Sequence, residues 1–280
     1  MKGYLFAMNI ILLIFAGLFM TSCLNSESES LYDGGFLAKV EYAGGLWGEA
    51  IFSDAAGNTY NASEESVRKM EQAGFDFDGV EMAFIYFKWS IDENGNPITP
   101  PVANTDTPQE YEIELVNIAK ANTADVENVN TMEDLESYKY ETAPITLMNM
   151  TGNNGNSVKF DFYGNSRMLY MYACWFLTNG QEEFEKHNIR LVYVHDELSA
   201  DATDLKLYLC HDEGDDDGAS ALYQNWYGFR IDNALYDFEQ TTGHLPTSIT
   251  LSMYEDADLT GGATMPTKRT DYTNTYDDLN

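Results

Sequence analysis

The densest run of potential ligand oxygens in the chain is His211-Asp212-Glu213-Gly214-Asp215-Asp216-Asp217-Gly218. Carboxylates suit a hard divalent cation, and calcium is the one an exported protein meets. Asp212, Asp215, Asp216 and Asp217 are therefore the candidate ligands of a weak calcium site. The spacing fails the EF-hand frame, which needs alternating acids and a glycine in sixth place. A solvated loop between two strands is the plainer reading of the run.

Other reactive residue types are scattered. His187, His195, His211 and His244 include no pair four apart and no H-E-x-x-H, so each reads as a surface or turn histidine. There is no G-x-S-x-G elbow and no P-loop. Asp76 with Asp78, or Glu255 with Asp256, could flank a glycosidic bond, but among 46 acidic residues such pairs arise by chance. No catalytic residue is assigned, and no cofactor beyond the calcium candidate. Cys174 and Cys210 sit in apolar, strand-like segments, where a bridge and two free buried thiols are both open readings.

Aromatics offer the better binding chemistry. Trp47 and Trp226, with Tyr223, are candidates for stacking on a ligand ring. They follow glycine-containing or polar stretches, whereas Trp89 and Trp175 lie in segments that are apolar throughout and read as core.

The elements that must position these residues are mostly strands. Phe36, Ala38, Val40 and Tyr42 alternate with Leu37, Lys39 and Glu41, the period-two pattern of a strand. Ser63 can cap a helix whose first turn carries Glu64 and Glu65 and which Gly74 ends. Val67, Met70 and Ala73 would form its packing face. Val80–Trp89 is apolar on both faces, and Tyr111, Ile113 and Leu115 alternate with acids. Several short strands and one helix within residues 31–118 predict a small OB-like barrel. Residues 119–143 are polar and weakly patterned, so they read as a connection. Residues 144–257 alternate repeatedly, as in Val158-Phe160-Phe162, Ile189-Leu191-Tyr193, Leu205-Leu207-Leu209 and Ile249-Leu251-Met253. These predict an antiparallel β-sandwich, followed by a flexible tail at 258–280. The fold class expected is thus all-β.

The N-terminus predicts export. A lone Lys2 precedes the apolar run Ile10–Met20, which is short for a spanning helix and fits a signal-peptide core. Thr21-Ser22-Cys23 follows, the pattern of a lipoprotein signal: residues 1–22 are removed and the Cys23 thiol is acylated. An uncleaved anchor or a plain secretory peptide is the competing reading, and both also place the rest outside the cytoplasm. Residues 23–30 are small, polar and acidic, a tether. Such a stretch resembles the signal that sends Bacteroidota lipoproteins to the outer face of the outer membrane. The formal charge of −31 argues against nucleic acid, whose binding needs Lys and Arg on phosphates. It likewise disfavours anionic lipid heads, leaving the anchor as the membrane contact.

The order of parts resembles the NigD-like lipoproteins of Bacteroidota. The resemblance is carried by Pro144-Ile145-Thr146-Leu147 leading to Val158–Phe162, by Leu205–Asp212, and by Tyr227–Asp232 with Leu235 before Ser248–Leu251. The helix at Ser63–Gly74, the Pro-rich turn after Asn94 and the tail depart from it. It implies an N-terminal OB-like domain, a C-terminal sandwich, and an envelope role linked by the family name to bacteriocin production or immunity. It carries over no catalytic residues. The expectation is a non-enzymatic, outer-membrane, surface-exposed lipoprotein that binds a protein or glycan. The alternative is a carbohydrate-active envelope enzyme using paired carboxylates.

Overall fold

Strands in the first third close on one another. The computed structural model describes residues 31–44, 48–99, 107–137, 140–152, 155–163, 167–178, 181–216, 221–259 and 265–276. Here β1 (Gly34–Ala43), β2 (Glu49–Ser53), β3 (Thr59–Ala62), α1 (Glu64–Gln72), β4 (Met82–Trp89) and β5 (Glu110–Lys120) make a closed barrel of strand order β1-β2-β3-β5-β4. Only the β3–β5 pair is parallel. A parallel pair needs a long crossover, which α1 and β4 supply. Phe52, Ile85 and Ile113 fill the interior, and Val67 of α1 packs against them. The helix begins as expected, with the Ser63 hydroxyl accepting from the Ser66 N–H at 3.3 Å, and it ends where Gly74 takes φ +96°. Ala73 is exposed rather than part of the packing face.

Two further five-stranded sheets follow. The first runs β11 (Phe160–Tyr163), β12 (Met168–Leu177), β15 (Ala221–Arg230), β6 (Asn122–Asp125), with β8 (Thr146–Leu147) also on β12, while β9 (Met150–Thr151) and β10 (Ser157–Val158) pair with each other. The second runs β17 (Thr270–Thr275), β16 (Ser248–Met253), β14 (Asp204–Asp212), β13 (Asn188–Val194), β7 (Glu127–Val129). Between them lies a core that includes Leu169, Trp175, Leu207 and Phe229; a helical turn, α3 (Gln181–Phe184), precedes β13, and Ala234, Leu235 and Phe238 of α4 (Asp232–Thr242) close the core. From Tyr32 onward the chain packs as one compact unit. Among the described residues no helix is long and apolar enough to cross a membrane.

Three expectations change. The sandwich is mixed rather than antiparallel: β6–β15, β7–β13 and β14–β16 are parallel. The connection is built into both sheets, because β6 and β7 are edge strands and Val126 between them is buried in the core. A helical turn, α2 (Met132–Leu135), follows with a capping box of Thr131 and Asp134. Within the expected tail, residues 270–275 form β17. Its residues alternate between half-buried and exposed, and Ser252 and Tyr272 reach Asp271 and Glu255 at 2.5 and 2.6 Å. Edge strands owe their order to backbone pairing and cover one face only, so they carry little apolar alternation. The helix α4 is likewise outside the expected strand pattern: Ala234, Leu235 and Phe238 have helical spacing, and Gly243 supplies a left-handed cap at φ +81°.

Candidate functional site

Alternation along β12 and β15 gives the first sheet two different faces. Leu169, Met171, Ala173 and Trp175, with Tyr223, Tyr227 and Phe229, point into the sandwich core. Met168, Tyr170, Tyr172, Trp226 and Gly228 point the other way, toward the barrel. There Leu37 and Met82 of the barrel join Tyr163, Met168 and Tyr170 in a shared apolar seam. A Cβ on Gly228 would stand 2.8 Å from the Met82 sulfur and 2.9 Å from that of Met168, so a larger residue there would have to displace both thioethers. The Tyr163 hydroxyl, on the sandwich side, accepts from Lys39 N–H at 3.1 Å and donates to the Ser53 carbonyl.

The seam does not close along its whole length. It leaves a cleft of about 510 Å³ between the barrel turn Asp54–Ala56, Phe84 of β4, the Asn149–Thr151 segment, Tyr172 and Trp226. Phe84 and Trp226 stack at 5.5 Å with ring planes 20° apart, and Tyr172 meets Trp226 at 4.8 Å. On the barrel side the row continues from Phe84 to Tyr86 at 5.0 Å and to Tyr32 at 4.7 Å. Five rings thus run from the barrel surface into the cleft. Burial pushes the Tyr172 phenol up to about 12 and raises that of Tyr170, so both stay uncharged hydroxyls near neutrality. Among the described lining residues the one carboxylate is Asp54, and none is Lys, Arg or His. Asp54 is occupied by its own turn: it accepts from the N–H groups of Ala56 and Asn58, the Asn58 amide and the Tyr60 hydroxyl at 2.7–3.0 Å.

The other sequence candidates fall elsewhere. Tyr223 is on the core face, its ring 5.0 Å from Trp175 and 4.5 Å from Phe184. It does not share a surface with Trp226, because three positions along a strand reverse the face. Cys23, Trp47 and Asp217 lie outside the described residues. The remaining acids of the calcium candidate diverge. Asp212 accepts from Thr142 and Gly214, exposed Asp215 pairs with Lys186 at 2.9 Å, and Asp216 is buried. Among the described residues no group of three ligating side chains could hold a metal. Asp76 and Asp78 share an exposed turn, while Glu255 is buried against the Tyr272 hydroxyl; neither pair lines the cleft.

The disulfide is also corrected. Cys174 and Cys210 are free and buried. Each sits on the face of its own sheet that points away from the shared core, so both sheets separate them, and a bridge needs Cα atoms within about 7 Å. Burial pushes the Cys174 thiol up to about 11 and that of Cys210 well above its ordinary value, so neither is a ready nucleophile.

His187 and His211, read as surface or turn residues, are enclosed. His187 Nδ1 lies 2.8 Å from His211 Nε2, and its Nε2 lies 3.0 Å from Asp216 Oδ2. His211 Nδ1 faces the Pro144 carbonyl at 2.9 Å, and Asp216 accepts from the Thr178 N–H and hydroxyl at 2.9 and 2.6 Å. A carbonyl can only accept, so the His211 proton belongs on Nδ1. Burial pushes His211 down to about 4, so its Nε2 accepts from His187. The chain of bonds ties β12, β13, β14 and the loop before β8 together. A sequence signal existed: His187 and His211 extend the core-facing series Ile189-Leu191-Tyr193 and Leu205-Leu207-Leu209.

Solved structures share the fold. A lipoprotein candidate from Bacteroides fragilis superposes with a TM-score of 0.61 at 18% identity, over 88% of this chain and 99% of its own. A protein named as toxin-related from Parabacteroides distasonis gives 0.53 at 12%, over 88% and 93%. A protein of unknown function from Bacteroides vulgatus gives 0.51 at 12%, over 86% and 89%. This chain has their fold. No family model matches it, and neither does any curated protein sequence, so the NigD-like resemblance rests on the layout of parts.

Proposed function

We propose that this is an exported, lipid-anchored protein of the cell envelope that binds a partner non-covalently in the seam cleft. The observation that carries the proposal is the half-buried aromatic row ending in Trp226 and Tyr172. Flat apolar faces with a few uncharged polar groups are the usual make-up of a recognition pocket. Other rings of comparable size in the sandwich, such as Trp175, are covered by the core. The hydrolytic alternative draws no support from the cleft, since it needs two facing carboxylates and the single lining carboxylate is engaged.

The envelope location is supported by the lipoprotein-type signal ending at Cys23 and by the name of the Bacteroides fragilis neighbour. The bacteriocin link is supported by the NigD-like resemblance alone. Protease shaving of intact cells tests the location. The expected result is loss of the protein from intact cells and protection when Glu27 and Glu29 are replaced by alanine. Protection of the natural protein would point to the periplasmic side. For the site, a photo-reactive residue at Thr151 should cross-link the partner in living cells, and Trp226→Leu should abolish the product.

A further inference from the structure

We infer that the occupant of the seam cleft is a neutral saccharide chain; the inference rests on the reading of the cleft as a binding site. Three features of the lining select this class. Phe84 and Trp226 stack on one another and Tyr172 packs against Trp226, so what the half-buried cluster offers a ligand is the outer apolar surface of the rings that line the cleft. A pyranose ring presents a matching flat face of C–H groups, whose partial positive charge meets the negative face of an aromatic ring. At the rim are the Asn149 amide, the Thr151 hydroxyl and the neutral Tyr172 phenol, which can donate to and accept from sugar hydroxyls without charge.

Charge excludes the neighbouring classes. The described lining has no cation to hold an anionic sugar, and the formal charge of −31 repels one. A cationic ligand finds only Asp54, already saturated by four donors. An extended peptide usually gains its affinity by adding a strand to a free sheet edge. Here β1, β4 and β12 are paired on both sides, but β11, the Met150–Thr151 strand and β15 ahead of Tyr227 each keep one open side at the cleft, so the cross-link at Thr151 is what separates a peptide from a saccharide. The row of five rings continues beyond the cleft to Tyr86 and Tyr32, so several linked sugars, rather than one, can lie along it.

Affinity electrophoresis of the full-length protein in detergent, through gels holding a starch-type α-glucan, a mannan or a xylan, tests the proposal. Polygalacturonate and heparin serve as anionic counterparts. At least one neutral polymer should retard the protein. Trp226→Leu, which keeps an apolar side chain but loses the ring, should weaken that retardation at least tenfold, as should Tyr172→Ala, while Tyr223→Phe leaves it intact. Retardation by the anionic polymers alone, by none of them, or equally in Trp226→Leu would overturn the saccharide assignment. The Thr151 cross-link separates this failure from that of the broader reading. A protein product lost in Trp226→Leu would keep the binding site and sink the saccharide, whereas no product and no retardation would sink both.

Discussion

Two tryptophan–tyrosine pairs span the same two strands, and they have opposite fates. Trp175 lies directly across from Tyr223, and Tyr172 directly across from Trp226. The ring separations are nearly equal, 5.0 and 4.8 Å. Trp175 is 1% exposed and sealed under the second sheet, while Trp226 is half-buried at the edge of the cleft. Cross-strand pairing is therefore not what makes a site. What differs is the layer that covers each face: a close-packed sheet on one side and the curved wall of a barrel on the other. A flat sheet face and a convex barrel meet fully along a line, so rings beside that line keep part of their surface open.

The contrast predicts a gap in stability. Trp175→Ala should destabilise the protein by about 3–5 kcal/mol, as large aromatic deletions from a core do, measured by denaturant unfolding. Trp226→Ala, the same truncation at a half-buried ring, should cost less, about 1–2 kcal/mol. Equal costs would make the seam a second core and break the comparison.

A slightly smaller effect is expected on the second sheet. Glu141 and Arg269 form a bidentate ion pair with side chains 5% and 13% exposed, the arginine lying over the rings of Tyr208 and Tyr254. Arg269→Met leaves the glutamate buried and unpaired. It should cost about 3 kcal/mol and free β17 to exchange its amide hydrogens, while saccharide binding is unchanged. Loss of binding there would tie the cleft to the far sheet.

Acid sharpens the comparison further. The unfolded chain takes up a proton on His211 near pH 6.5, whereas the folded chain resists until about pH 4. The groups against its ring are His187, the Pro144 carbonyl and the nearby Asp212. Stability contributed by the neutral ring is thus complete above pH 6.5 and declines as the pH falls toward 4, by on the order of 2–3 kcal/mol. His211→Asn should flatten that slope in thermal melts. Retardation by a neutral polysaccharide should vary least, less than about twofold across the same window, because the described lining has no histidine and its phenols titrate far above it. A matching pH slope for binding would mean that the cleft depends on the histidine chain.

Much of the fold was legible because strand alternation is local. The barrel strands, the capped helix at Glu64 and the core series Leu205-Leu207-Leu209 follow from residue types at fixed spacing. The same alternation, carried two positions further, would have placed His211 and His187 inside. Edge strands were not legible: Asn122–Asp125 and Thr270–Thr275 owe their order to neighbours far away in sequence, and their side chains mostly meet water. Nor was the difference between Tyr223 and Trp226 legible from composition, although their odd spacing already put them on opposite faces.

The residues alone thus determined that the chain is all-β, where most strands run, and which positions along a strand share a face. They could not determine which face meets the core, because β12 is apolar on both. Only tertiary packing decided that, by setting a second sheet against one side and a barrel against the other. That packing also brought Phe84 onto Trp226 from a distant part of the chain. Alternation records that a side chain is covered; what covers it, and how completely, depends on the shape of a partner surface that no local pattern encodes.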